Sequence, residues 1–237
     1  MNVLITGGGK GLGKFIAEHL IDKGHKVIVI DKLLAEIGDN SNKKIEYIQL
    51  DLSDFNSIEK KISNLIQIHK SIDILINNAA IRNFASFQDF TINQIDELIK
   101  VNFQAPILLI HLVLPYMIKN NFGRIINIAS VSALSGYSTG SLYCSTKAAL
   151  YVFTEALASD LNKTKLNITA NSILPDSFQT REGVKLGNFN YIINSIINVV
   201  DDFIQGNENG RIKVISPFSN KLPLFTKTFY NLLMKFF

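Results

Sequence analysis

At 237 residues the chain is long enough for one large domain with a sizeable core. With 47% hydrophobic and 19% charged residues it has an ordinary globular composition, and a net charge of +4, spread without a dense Lys/Arg run, gives nucleic-acid binding no support. Cys144, the only cysteine, excludes an intrachain disulfide and points to a reducing cytoplasm, while neither a secretory signal nor an uninterrupted apolar stretch of membrane-span length stands out.

Short apolar runs alternate with helical patterns along the first two-thirds, as in βαβ units. Residues 3–6 read as a strand running into a glycine cluster. Residues 13–23 place Phe15, Ile16, Leu20 and Ile21 on one helical stripe, which Gly24 ends. Strands are predicted over 26–31, 45–50, 72–77, 124–129, 166–173 and 211–216. Helices are predicted over 55–68, 91–119, 141–161 and 191–204, the second of these broken or bent near Pro106 and Pro115. Residues 178–189 read as a mobile loop. Near-continuous Val/Ile/Leu strands imply a mostly parallel, doubly wound sheet of about seven strands with helices on both faces, an α/β fold of Rossmann type. No internal repeat or linker divides the chain, so residues 1–237 read as one domain, with the substrate loop and an atypical tail in 178–237.

Thr6-Gly7-Gly8-Gly9-Lys10-Gly11-Leu12-Gly13 joins the first strand to the first helix. Glycines let a backbone turn tightly and let a ligand approach closely, and a helix N-terminus offers free N–H groups to a pyrophosphate. Asp31 ends the second strand, twenty residues after Gly11, where a carboxylate accepts hydrogen bonds from an adenosine ribose. The spacing departs from the strict G-x-G-x-x-G pattern, and a tight βα turn alone would explain the glycines; strand, helix and Asp31 together favour a dinucleotide. A carboxylate at Asp31 repels a 2′-phosphate and favours NAD(H). Lys10 and Lys32 pull towards NADP(H), since either could pair with that phosphate.

Tyr143 and Lys147 lie four residues apart in Y-C-S-T-K, on the same face of a helix, with Ser130 thirteen residues upstream of the tyrosine. A free phenol titrates near pH 10, at about three units above neutrality, and a fixed positive charge beside it stabilises the phenolate. The pair suits a tuned general acid/base.

In these fragments the chain resembles the short-chain dehydrogenase/reductase family in its single-domain form. The resemblance covers roughly residues 1–180: T-G-x-x-x-G-x-G from Thr6, D-L at Asp51-Leu52, N-N-A at Asn77 to Ala79, V-N at Val101-Asn102, I-A-S ending at Ser130, Y-x-x-x-K, and P-x-x-x-x-T from Pro175 to Thr180. It implies Tyr143 as acid/base, Lys147 on the nicotinamide ribose, Ser130 on the substrate oxygen, and Asn102 holding a water in a proton relay. It also implies a cofactor site of Thr6, Gly7, Gly9, Lys10, Gly11, Leu12, Gly13, Asp31, Asp51, Leu52, Asn78, Ala79, Tyr143, Lys147, Pro175 and Thr180. Asp51 would meet the adenine, and Thr180 the carboxamide. The expected reaction interconverts a secondary alcohol and a ketone of a small molecule, in a homodimer or homotetramer.

Ala80 and Asp176 stand where the family usually has glycine, and the family's glycine-rich C-terminal signature is not recognisable. Arg82, Phe84, Leu134, Tyr137, Phe178 and Phe189 are candidates for a substrate pocket, though aromatic loop residues are as often plain packing. Cys144 reads as a small apolar filler, and the four histidines lack metal-ligand spacing. The tail over 221–237 interleaves apolar and basic residues; it fits a packed helix first and a weak membrane-surface contact second. A cofactor-binding scaffold of the same fold is the alternative to an enzyme, and the intact Asn102, Ser130, Tyr143 and Lys147 argue against it. A sugar-nucleotide epimerase of the longer related family would need a larger substrate region.

Overall fold

The central Val, Ile and Leu runs become strands buried on both faces, as the backbone of a covered parallel sheet requires. The computed structural model describes residues 1–33, 45–176, 186–206 and 209–215. Its strands are β1 (Asn2–Thr6), β2 (Lys26–Asp31), β3 (Ile45–Gln49), β4 (Ile74–Asn77), β5 (Gly123–Ile128), β6 (Ile168–Pro175) and β7 (Ile212–Ile215). They form one sheet in the order β3-β2-β1-β4-β5-β6-β7, each neighbouring pair parallel. The strand order reverses between β1 and β4, the place where open α/β sheets leave a crevice at their carboxyl ends.

Among the described residues six α-helices cover the sheet: α1 (Gly11–Asp22), α2 (Phe55–His69), α3 (Ile92–Ile99), α4 (Ala105–Asn120), α5 (Ser141–Asn162) and α6 (Leu186–Gln205). On one face Ile16 and Leu20 of α1, with Ile192, Ile196 and Phe203 of α6, pack against Val3, Ile5 and Ile76. On the other, Ile58 and Ile62 of α2 and Leu109 and Val113 of α4 pack against Leu4, Leu75 and Ile125. The predicted element types hold, and most ends agree within two residues. Residues 186–189, expected in the loop, are instead the first turn of α6; no proline interrupts that stretch. The remainder of that loop and the tail over 221–237 lie outside the described residues.

The expected break near Pro106 takes the form of a π-helical turn over Lys100–Gln104, with the Ala105 N–H bonded to the carbonyl of Lys100. Pro106 has no N–H to offer the carbonyl of Asn102, four residues back, and the wider turn absorbs the mismatch. Pro115, expected to bend the helix, sits inside α4 without ending it. By length and composition the combined helix Ile92–Asn120 could cross a membrane, but its Leu109, Val113 and Met117 are buried in the core.

Candidate active site

The glycine turn is built for close approach. Gly7 has φ +66°, and a Cβ there would lie 2.8 Å from Ala79 Cα; at Gly13 a Cβ would collide with the Gly7 carbonyl, so α1 starts hard against the turn. Asn78 locks the turn from the next strand, its Nδ2 donating to the carbonyls of Thr6 (3.0 Å) and Gly7 (2.9 Å). Thr6 Oγ1 accepts from the N–H groups of Asn78 and Ala79, both at 3.1 Å. No side chain caps the first turn of α1, and that turn holds no acid. The N–H groups there are therefore suited to an anion.

Asp31 closes the far side of the turn: Oδ2 accepts from the Gly9 N–H at 2.9 Å and Oδ1 from the Leu33 N–H at 3.3 Å. Beside it, Lys32 Nζ lies 2.9 Å from Asp51 Oδ2 and 3.4 Å from Glu97 Oε1. The bond to Asp51 is the main reason the lysine's pKa is raised. Burial alone would push the Asp51 carboxyl up, but hydrogen bonds from Lys32 and Ser53 outweigh it and hold the group below its ordinary value. Glu97, on α3, carried no motif that sequence reasoning could have used; only the fold brings it to Lys32.

At the other end, Tyr143 and Lys147 rise from the start of α5 and are 4% and 2% exposed. Lys147 Nζ donates to the carbonyl of Ile128 at 2.8 Å. Burial, with the Arg82 guanidinium adding to it, lowers the lysine's pKa to about 7. The Phe84 ring meets the Tyr143 ring edge-on, 5.3 Å between centroids. Ser130 follows β5, and its Oγ accepts from the Ser132 N–H at 3.2 Å. Underneath, Asn77 Nδ2 donates to Asn127 Oδ1, and Asn127 Nδ2 to Thr154 Oγ1, both at 2.8 Å, tying β4 and β5 to α5.

A cleft of about 540 Å³ joins the two ends, within the range of small-molecule sites. Gly7, Lys10, Gly11, Leu12, Asp31, Asp51, Leu52, Asn78, Ala79, Ser130, Tyr143, Lys147 and Pro175 all line it, as do Glu97 and Arg82. Thr6, Gly9, Gly13 and Asn102 are not on its wall. The first three shape the glycine turn. Asn102 is fully buried, its Oδ1 accepting from the Ile81 N–H at 2.7 Å and its Nδ2 donating to the Ile81 carbonyl at 2.9 Å and to Thr146 Oγ1 at 3.3 Å. Both amide hydrogens are thus committed to protein. Thr180 and Phe178 lie outside the described residues, and Cys144 is buried and free. Among the described residues no group of three His, Cys, Asp or Glu is placed to hold a metal ion.

A doubly wound parallel sheet, with a glycine turn at its switch point and Ser, Tyr and Lys on the same cleft, defines a nicotinamide-dinucleotide oxidoreductase class. The family described as short chain dehydrogenase matches residues 1–191, and the chain belongs to that family. It is 30% identical over 189 residues to an uncharacterised oxidoreductase of Staphylococcus epidermidis, covering 78% of this chain and 81% of the relative. It is 33% identical over 184 residues to the 3-oxoacyl-acyl-carrier-protein reductase FabG of Aquifex aeolicus, covering 75% and 73%. Among solved structures, 4-hydroxyisoleucine dehydrogenase complexed with NADH superposes with a TM-score of 0.81 at 26% identity, covering 91% of this chain and 96% of that one.

Proposed function

We propose that the protein interconverts a secondary alcohol and a ketone with a nicotinamide dinucleotide, Tyr143 exchanging the proton with the substrate oxygen. The observation that carries this reading is that Ser130, Tyr143 and Lys147 share one cleft with the glycine turn. Two similar proteins support this chemistry, one a 3-oxoacyl-acyl-carrier-protein reductase and the other a 4-hydroxyisoleucine dehydrogenase.

The residues fit the cofactor: the glycine turn and the uncapped start of α1 would hold its pyrophosphate, Asp31 its adenosine ribose, and Lys147 its nicotinamide ribose. When bound, the nicotinamide supplies the hydride acceptor or donor. Ser130 Oγ donates to the substrate oxygen and polarises it. In alcohol oxidation Tyr143 takes the hydroxyl proton as the C–H bond gives up its electron pair; in reduction it returns that proton. Lys147, one helical turn along, stabilises the phenolate by its charge and exchanges protons near neutrality. Asn102, with its amide hydrogens committed, works by fixing the loop at Ile81. NAD(H) is the favoured form, because among the described residues no cation pairs with Asp31, and Lys32 is held by Asp51 and Glu97. Tyr116, Ile118 and Val152, exposed on α4 and α5, suit a homodimer or homotetramer.

The test is Tyr143→Phe, with NADH binding followed by fluorescence and turnover followed by nicotinamide absorbance on a panel of secondary alcohols and ketones. Binding persists while kcat falls by about 10²–10⁴-fold. Undiminished turnover would remove the tyrosine from the reaction.

A further inference from the structure

Arg82 has no place in the chemistry above, yet it lines the same cleft as Ser130, Tyr143 and Lys147. It is exposed, and among the described residues it makes no hydrogen bond or ion pair. Its loop is pinned on both sides. Ile81, just before it, is held through its N–H and its carbonyl by Asn102, and the Ala85 N–H donates to the Thr139 carbonyl at 3.0 Å. Phe84, two residues on, rests against the Tyr143 ring. The backbone that carries Arg82 is therefore fixed at the cleft, near enough to Lys147 for the guanidinium to help lower the lysine's pKa.

Charge is divided along the cleft. The lining acids, Asp31, Asp51 and Glu97, gather at the glycine-turn end, the last two paired with Lys32. Among the described residues, the charged ones lining the tyrosine end are Lys147 and Arg82, both cationic. Lys147 is buried, gives one hydrogen to the Ile128 carbonyl and is assigned above to the cofactor, so among the described residues at this end Arg82 is the exposed cation that faces a substrate. Asp176, the acid that follows Pro175 in the chain, is not on the cleft wall. Phe84, two residues on from Arg82 and half-exposed, bridges the Tyr143 ring and the half-exposed ring of Tyr137, its centroid 5.3 and 6.2 Å from theirs.

Resting on the dehydrogenase reading, we propose that the substrate is a carboxylate-bearing secondary alcohol or ketone, its carboxylate paired with Arg82 and its aliphatic body against Phe84 and Tyr137. A planar guanidinium matches a carboxylate in geometry and in charge; a phosphate ester, with close to two charges, would leave one uncompensated. The reacting carbon then lies between the anchored carboxylate and the Tyr143 hydroxyl. Oxidation removes a hydride to the nicotinamide dinucleotide and a proton to Tyr143, and the carboxylate itself is unchanged. The bound anion also offsets the repulsion between Arg82 and Lys147, so substrate binding favours the protonated lysine.

The experiment titrates butyrate and its neutral amide, butyramide, into NADH-saturated wild type, Arg82→Gln and Arg82→Lys, by calorimetry. Wild type binds butyrate at least about tenfold more tightly than butyramide, Arg82→Gln abolishes that preference, and Arg82→Lys retains part of it. Intact NADH binding with equal affinity for anion and amide, or a preference that survives Arg82→Gln, overturns the role of Arg82 and leaves the dehydrogenase reading standing. Weakened NADH binding in Arg82→Gln assigns the residue to the cofactor instead and also overturns it. Failure of wild type to bind NADH sinks the dehydrogenase reading itself.

Discussion

Lys147 donates from Nζ to the carbonyl oxygen of Ile128 at 2.8 Å while only 2% exposed, so the end of β5 meets an amine that burial has shifted to about 7 from an ordinary 10.5. Between those two values the unfolded chain keeps a proton that the folded protein has released, and stability rises with pH across that window. Below it the cost of burying the charge is present in full; above it the amine is neutral in both states. Lys147→Met removes the group. Relative to wild type the variant is expected to be most favoured below about pH 7, with its advantage shrinking steadily towards about pH 10.5. The lost bond to Ile128 sets the intercept but not the slope. Denaturant unfolding across the window checks this, and a stability difference independent of pH would contradict it.

Cofactor choice turns on charge beside the ribose. Asp31 also anchors the Gly9 N–H, so Asp31→Asn is the cleaner variant: the amide oxygen can still accept that bond while the charge is gone. It is expected to raise affinity for NADP(H) relative to NAD(H) by about tenfold. Glu97→Gln loosens one of the two carboxylates that hold Lys32 and frees the ammonium to turn towards a 2′-phosphate. Because that pair is exposed, the expected shift is smaller, about two- to fivefold. Fluorescence titration with both coenzymes measures each ratio. An unchanged ratio in Asp31→Asn would mean that the 2′ position lies away from the end of β2.

Most of the sheet was legible because β1, β2, β4, β5 and β6 are buried almost throughout and therefore written as largely apolar runs, such as Lys26–Asp31 and Ile74–Asn77, whereas β3 at the edge is half-exposed. The glycine turn and the Tyr143–Lys147 spacing were legible because backbone conformation and helix pitch fix them locally. What could not be read depends on long-range packing. Glu97 reaches Lys32 across 65 positions, and Asn102 spends its amide on Ile81, 21 positions earlier.

Gly13 tests how closely α1 abuts the turn. Its missing side chain leaves room for the Gly7 carbonyl and the Asn78 amide, neither of which can retreat while Asn78 bridges the Thr6 and Gly7 carbonyls. Gly13→Ala should destabilise the fold by about 1–3 kcal/mol, since the new methyl meets backbone rather than a flexible side chain. NADH affinity should drop with it, because the N–H groups of the turn are displaced. Gly11→Ala meets open space but has a φ of +57°, so it brings strain without collision and serves as the milder comparison. Equal stability of Gly13→Ala and wild type would show that the helix start can shift without harm.

Asn127 is fully buried between two partners, accepting from Asn77 Nδ2 and donating to Thr154 Oγ1. Thr154 keeps a second bond to the Leu150 carbonyl at 2.6 Å, whereas Asn77 Oδ1 has no partner among the described residues. Removing Asn127 therefore takes from the Asn77 amide its one side-chain bond among the described residues, in the buried core, while the threonine loses little. Asn127→Ala should cost about 2–4 kcal/mol, combining the stranded amide with the cavity. The double variant Asn77→Leu with Asn127→Leu removes both polar groups and fills the space, so it should recover a good part of that loss. Denaturant midpoints of the two variants decide the matter. If the double variant proved the less stable, the pair would be holding β4 and β5 in register beneath α5 rather than merely satisfying each other, and turnover would fall with stability because α5 carries Tyr143 and Lys147.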